Sequence, residues 1–181
     1  MHCWLKFVGG VVDYQDLPLN VLREILQRSK VLSITNKRLV RKSLDMICAI
    51  ESDEDDSKYI IFWKNFGKYM NVGIIEDQHN KDDIIPLLRF YLSKSGGDEY
   101  TILDQYVEGM QENQKQIYYV AADGKEKAQM SSAAEKVRRR GYKVLYLTEP
   151  LDEIVIESVT GYKDFKLFDV SKEGLNFGDE D

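Results

Sequence analysis

The chain has 181 residues with 43% hydrophobic and 31% charged side chains, enough for one ordinary domain or two small ones with a real core. A formal net charge of -6 argues against nucleic acid as the general partner, because a duplex binder usually needs a basic face, and two cysteines exclude a disulfide framework. No apolar run approaches the length of a membrane span, and the start, Met1-His2-Cys3-Trp4, lacks the basic and apolar regions of a signal peptide.

In chain order, Phe7-Val8-Gly9-Gly10-Val11-Val12-Asp13 reads as a strand entered almost at once, which suggests a piece of something larger. A Pro-bearing loop, Asp16-Leu17-Pro18-Leu19, leads to Asn20, a good helix cap, and then to a short helix through Arg28 that carries Arg23 and Gln27. A longer helix follows from Val31, with Val40, Leu44 and Ile47 on its apolar face. The acidic run Glu51-Ser52-Asp53-Glu54-Asp55-Asp56 is a solvated loop. Tyr59, Phe62, Trp63, Phe66 and Met70 mark one face of the next helix, closed by Gly73, and a further helix lies around Ile84 to Arg89 with Pro86 in its first turn.

Gly96-Gly97 makes a reasonable boundary. Beyond it come a helix from Leu103 to Met110, a strand over Ile117-Ala121, one helix from Lys125 to Arg140 ended by Gly141, a strand over Lys143-Leu147, a helix from Leu151 to Val159 and a strand over Lys166-Val170. That alternation implies parallel βαβ units and an α/β class, with an acidic tail from Gly178 to Asp181.

Several residue groups invite a chemical reading, and each has a plainer one. Asp123, Glu149, Asp152 and Glu153 sit where ligands enter parallel sheets, but the turns there lack a glycine cradle and the acids repel phosphate. As loop solubilisers and helix N-terminal acids they need no ligand. The aromatic stripe from Tyr59 to Phe66 packs a core more readily than it boxes a ligand. Lys37, Arg38, Arg41 and Lys42 form a basic patch that either pairs with the acidic loop or meets an acidic partner. Arg138-Arg139-Arg140 suits the negative end of a helix. His2 and His79 have no partners at metal-ligand spacing beyond the adjacent Cys3, and no His-centred nucleophile is visible. Arg23 and Gln27, four apart, share one helix face. Arg23 is either an ordinary surface ion-pair residue or a group aimed at a phosphate held by another domain. A small α/β enzyme with a pocket near Thr148 and Glu149 is a further, weaker alternative.

These motifs together resemble the heat shock protein 90 chaperones. The resemblance rests on Phe7-Asp13, Asp16-Asn20 and Arg23-Gln27, on Leu87-Leu88-Arg89-Phe90, on Glu112-Asn113-Gln114-Lys115 with Ile117-Tyr118-Tyr119, and on Val144 through Glu153. It covers nearly the whole chain and implies the later part of that family's middle domain. The expected parts are the terminal strand of a large α-β-α subdomain with the catalytic loop (1–28), a helical segment (29–95), and a small three-layer α-β-α subdomain with a mostly parallel sheet and acidic tail (96–181).

The resemblance assigns Arg23 to the γ-phosphate of ATP bound by an absent N-terminal domain. Gln27 supports the closed arrangement, and Asn20 shares the loop. It implies ATP with magnesium in the full-length protein, none held by this piece alone, and no metal site of its own. Implied partners are the protein's own N-terminal domain, client proteins, co-chaperones and a second copy joined through an absent C-terminal domain. Neither nucleic acid nor membrane is expected. An interaction module without catalysis is the alternative from another class. Leu22 stands where the family usually has serine, Gly9 where lysine is usual, and Tyr14 where serine is usual. Phe62-Gly67 and the end from Lys172 to Asp181 are closer to organellar members, plastid or endoplasmic reticulum, than to the common cytosolic form.

Overall fold

The computed structural model describes residues 2–11, 30–93, 99–175 and 177. The chain divides into two compact units, residues 1–69 and 70–181.

The first unit opens with a 3-10 turn, Cys3–Leu5, that buries Trp4 and Leu5. The strand expected over 7–13 does not form in its described part, 7–11. A strand needs a neighbour to take its backbone hydrogen bonds, and Phe7 is occupied otherwise. Its ring stacks on Phe66 at 4.7 Å and meets Phe62 at 5.8 Å and Tyr69 at 5.4 Å. Helix α1, Lys30–Glu51, buries Val40, Leu44 and Ile47 as their spacing requires. The acidic loop after it is shaped by its own side chains. Asp53 pairs with Lys58 at 2.7 Å, and the Asp55 carboxylate accepts from the Ser57 backbone N–H. The basic patch finds a local partner too, Arg41 meeting Asp45 at 3.3 Å one turn along α1.

Helix α2, Asp56–Glu76, runs three residues past Gly73. Gly73 therefore does not close it; it is buried within the helix, and its carbonyl accepts from Asp77 N–H at 2.9 Å. Gly67 is demanded by close packing, since a Cβ there would lie 2.8 Å from the Trp63 ring. The aromatic stripe is core at Tyr59, while Phe62 and Phe66 are half-buried beneath Phe7.

In the second unit a short helix α3, Lys81–Ile84, continues into a 3-10 turn, Ile85–Leu87, with Pro86 near its start. The sheet comprises β1 (Phe90–Leu92), β2 (Tyr100–Thr101), β3 (Gln116–Ala121), β4 (Leu145–Leu147) and β5 (Lys166–Asp169), in the order β2-β1-β4-β3-β5. β3 runs parallel to both β4 and β5, as the alternation requires. The antiparallel pair β1 and β2 departs from expectation, which placed a helix around Ile84 to Arg89 and no strand before Ile117. Gly96-Gly97 lies outside the described residues.

Helix α4, Leu103–Glu108, precedes β3. The single helix expected from Lys125 to Arg140 is two, α5 (Lys125–Gln129) and α6 (Ser132–Arg139). Ser131 breaks it by accepting from the Ala134 N–H at 3.4 Å, an N-cap with extended backbone from which the second helix starts. Gly141, at φ 87, ends α6 in a conformation that glycine adopts without strain.

Tyr118, Val120 and Tyr146 pack with Ala128 of α5 and with Ala134 and Val137 of α6. Their sequence neighbours Ile117, Tyr119, Leu145 and Leu147, also buried, point to the other face by strand alternation. Helix α7, Pro150–Ser158, packs against β4 and buries Val155 and Ile156. The result is a layered α/β unit with a mostly parallel sheet, as the alternation of elements predicts.

Candidate functional site

Arg23, Gln27 and Asn20, and Leu22 beside them, lie outside the described residues. What the structure does describe is the flanks of their segment. On one side the Phe7 ring packs on the aromatic face of α2, and on the other α1 begins at Lys30, three residues after Gln27. Both flanks belong to the first unit.

The acids singled out at the strand ends divide into two kinds. Asp123 is exposed and pairs with Lys127 at 2.8 Å, which holds its carboxyl below the usual carboxylate range. Glu149 and Glu153 are exposed. Asp152 is different. It is only 7% exposed and accepts from three donors, the backbone N–H of Thr148 and of Glu149, each at 3.1 Å to Oδ2, and Asn71 Nδ2 at 3.0 Å to Oδ1.

Burial pushes the Asp152 carboxyl up, while those hydrogen bonds pull the other way. With both oxygens committed to N–H groups, Asp152 caps α7 and ties it to α2; it is not poised as a base. The opposite end of α7 is held as well, by a hydrogen bond from Lys81 Nζ to the Ser158 carbonyl.

Near the same strand ends, Tyr91 and Tyr100 stack at 4.6 Å and share a hydroxyl hydrogen bond of 3.0 Å, with the Lys125 ammonium 5.4 Å from the Tyr91 ring. Partial burial, then the bond to Tyr91, raises the Tyr100 phenol, so it stays protonated at neutral pH. Gly124, at φ 96, opens a helix of only five residues. These side chains are engaged with one another and build a scaffold. Among the described residues no three of His, Cys, Asp and Glu gather as metal ligands, and no helix is long and apolar enough to cross a membrane.

The three arginines before Gly141 have separate tasks. Arg138 donates to the Gln129 carbonyl at 2.8 Å, Arg139 pairs with Glu135 at 2.7 Å, and Arg140 lies 4.0 Å from the Phe177 ring centre. Sequence reasoning did not find Asn71 or Tyr106. Tyr106 Oη donates to the Lys143 carbonyl at 2.7 Å and accepts from Gln114 Nε2 at 3.1 Å and from the Tyr118 N–H at 3.0 Å. The one available signal for Asn71 was a lone polar residue on the Met70-Ile74 stretch of a helix whose neighbours are apolar.

Comparison with known proteins converges on one family. Residues 1–181 match the family model described as Hsp90 protein. The chain is 50% identical over 178 residues to heat shock protein 90-5, chloroplastic, and 49% identical over 177 residues to heat shock protein 90-6, mitochondrial, both of Arabidopsis thaliana. It is 44% identical over 174 residues to heat shock protein 83 of Leishmania donovani. These alignments cover 98%, 98% and 96% of this chain but 23%, 22% and 38% of the relatives, so the chain spans well under half of their length. A solved middle domain of a Plasmodium falciparum heat shock protein superposes with a TM-score of 0.73 at 42% identity, covering 79% of this chain and 58% of that one.

Proposed function

The chain belongs to the Hsp90 protein family, and from that premise we propose that it acts as the middle-domain portion of an ATP-dependent chaperone, supplying Arg23 to ATP held by a separate N-terminal domain. The observation that carries this reading is the likeness of nearly the whole chain to Hsp90 relatives, together with a fold neighbour that is itself a middle domain.

The chemistry follows from what an arginine can do. A guanidinium is planar, permanently charged and able to donate two parallel hydrogen bonds to phosphate oxygens. Brought to the γ-phosphate by domain closure, Arg23 neutralises charge that develops on the transferring phosphoryl group. Arginines supplied in this way in other phosphate-transfer enzymes contribute about 10³–10⁵ in rate. Gln27, one turn further along, supports the closed arrangement, and Asn20 helps to set the loop. ATP and its magnesium belong to the N-terminal domain, and this chain alone neither binds nor hydrolyses ATP. Making the arginine available only on closure couples hydrolysis to a conformational step. Clients and co-chaperones then meet surfaces of this portion, in a dimer joined through a C-terminal domain. The two plant relatives carry organellar names, which favours an organelle over the cytoplasm as the compartment.

A second reading, a docking module without catalysis, is favoured by one observation. Lys37, Arg38, Arg41 and Lys42 are all exposed on α1 in a chain of net charge -6.

Turnover of the full-length protein and of its Arg23→Ala variant separates the two. The catalytic reading expects turnover to fall about a hundredfold or more with nucleotide affinity nearly unchanged. Wild-type turnover in the variant leaves only the docking module.

A further inference from the structure

The second unit carries a cleft remote in sequence from Arg23. It lies between α6 and the turn after β5, with a volume of about 390 Å³, and is lined by Ser132, Ala133, Lys136, Val170, Lys172 and Leu175 among others. That volume falls within the range that takes a small ligand or two to three residues of a peptide.

The apolar part belongs to the edge of the sheet's core. Val170 is a buried member of the cluster under α5 and α6, and Ala133 and Leu175 pack against it. The polar part is cationic. Lys136 and Lys172 flank the cleft against one acid, Glu173. Lys172 reaches Glu157 only at 3.7 Å, with both side chains more than half exposed, so that pair is weak and its ammonium remains available. Gly174, at φ 93, lines the same cleft, and a Cβ there would meet nothing within 4 Å, so the backbone is open to an incoming group. An apolar floor between two lysines is a local reversal of sign in a chain of net charge -6.

We propose that this cleft docks a short acidic segment of a partner protein, with one aliphatic side chain against Ala133, Val170 and Leu175 and flanking carboxylates on Lys136 and Lys172. Charge complementarity selects this occupant. A neutral apolar segment adds no carboxylate to the weak Glu157 contact of Lys172 and to Glu173, and a basic one is repelled by the lining's net positive charge. The small volume limits the contact to a few residues, so the affinity is modest and salt-sensitive.

The test is a titration of the isotopically labelled 181-residue chain, followed by NMR, with acetyl-Glu-Leu-Asp-Glu-amide and its neutral counterpart acetyl-Gln-Leu-Asn-Gln-amide. The acidic peptide is expected to shift methyl signals of Ala133, Val170 and Leu175, and to bind about tenfold more tightly than the neutral one at low salt. Lys136→Glu/Lys172→Glu is expected to lose that preference while β3 amide shifts stay in place. The control Lys64→Glu/Lys115→Glu, the same change in net charge at two exposed lysines that do not line the cleft, should keep it. Ala133→Leu, which fills the floor, should weaken both peptides. Equal binding of the two peptides, shifts confined to other residues, or equal loss in the control pair overturns the proposal.

Discussion

Asn71 donates a hydrogen bond to Asp152 at 3.0 Å across 81 positions of sequence, and the two side chains are only 4% and 7% exposed. One partner sits on α2 and the other caps α7, so this bond fastens the last turns of a long helix to the start of a helix that covers the sheet. A polar pair in that setting is costly to break, because whichever group remains has lost water as well as its partner.

Asp152→Ala should therefore cost about 2–4 kcal/mol at neutral pH, since it strands two backbone N–H groups and the Asn71 amide. Asn71→Leu should cost less, about 1–2 kcal/mol, because Asp152 keeps its two backbone donors. Urea unfolding of both single variants and the double variant measures this, and the double loss should be smaller than the sum. Additive losses would show that the two side chains do not act as a pair. The raised Asp152 pKa has a sign of its own. The unfolded chain gives up this proton first, so this group's contribution to stability falls as pH rises from about 4 through the folded value, and is recovered in acid.

Tyr106→Phe keeps the buried ring and removes only the hydroxyl. The Tyr118 N–H, the Gln114 amide and the Lys143 carbonyl all lose a partner. A loss of about 2–3 kcal/mol is expected by chemical denaturation, with hydrogen exchange at the Tyr118 amide accelerated before that of its β3 neighbours. A neutral substitution would mean that these groups find other partners.

Asp104 links α4 to the turn before β5. It accepts from Lys163 Nζ at 2.5 Å and from Tyr162 Oη at 2.9 Å, while Lys163 holds φ 52, a backbone conformation that costs a non-glycine residue about 1 kcal/mol. Lys163, and next the Tyr162 hydroxyl, hold the Asp104 carboxyl below its usual range. The sign is opposite to that of Asp152. This contribution is present above the unfolded pKa of about 4 and is lost as pH falls through the folded one. Thermal unfolding of Asp104→Asn between pH 3 and 7 should show a flatter acid limb than the parent. An unchanged acid limb would remove Asp104 from the account.

The periodic parts of the chain were legible because their signals are local. Valine, leucine and isoleucine spacing gave α1, the β-branched and aromatic run gave β3, and the apolar stretch with the acids Asp152 and Glu153 gave α7, which starts at Pro150, one residue before the expected Leu151. Elsewhere local signals misled. Phe7 to Val11 has strand composition but no strand beside it among the described residues, and Gly73 looks like a helix end yet is buried inside α2. Ser131 splits a helix that its apolar period runs straight through. The candidate site rests on resemblance alone, since the spacing around Arg23 does not set it apart from an ordinary ion-pair arginine and its segment lies outside the described residues. The partners of Asn71 and Tyr106 could not be read from sequence, because Asp152 lies 81 residues from Asn71, and the Gln114, Tyr118 and Lys143 groups meet Tyr106 only through the fold.

By itself, then, the sequence determined the α/β class, most helices, the parallel strands and the family, because each is written in short-range periodicity or in contiguous motifs. Tertiary structure alone decided which polar residues are structural. Desolvation and hydrogen bonding depend on what is brought alongside, so Asp152 became a buried cap, Asp123 remained an exposed ion-pair residue, and the α6 cleft with its two lysines emerged only on folding.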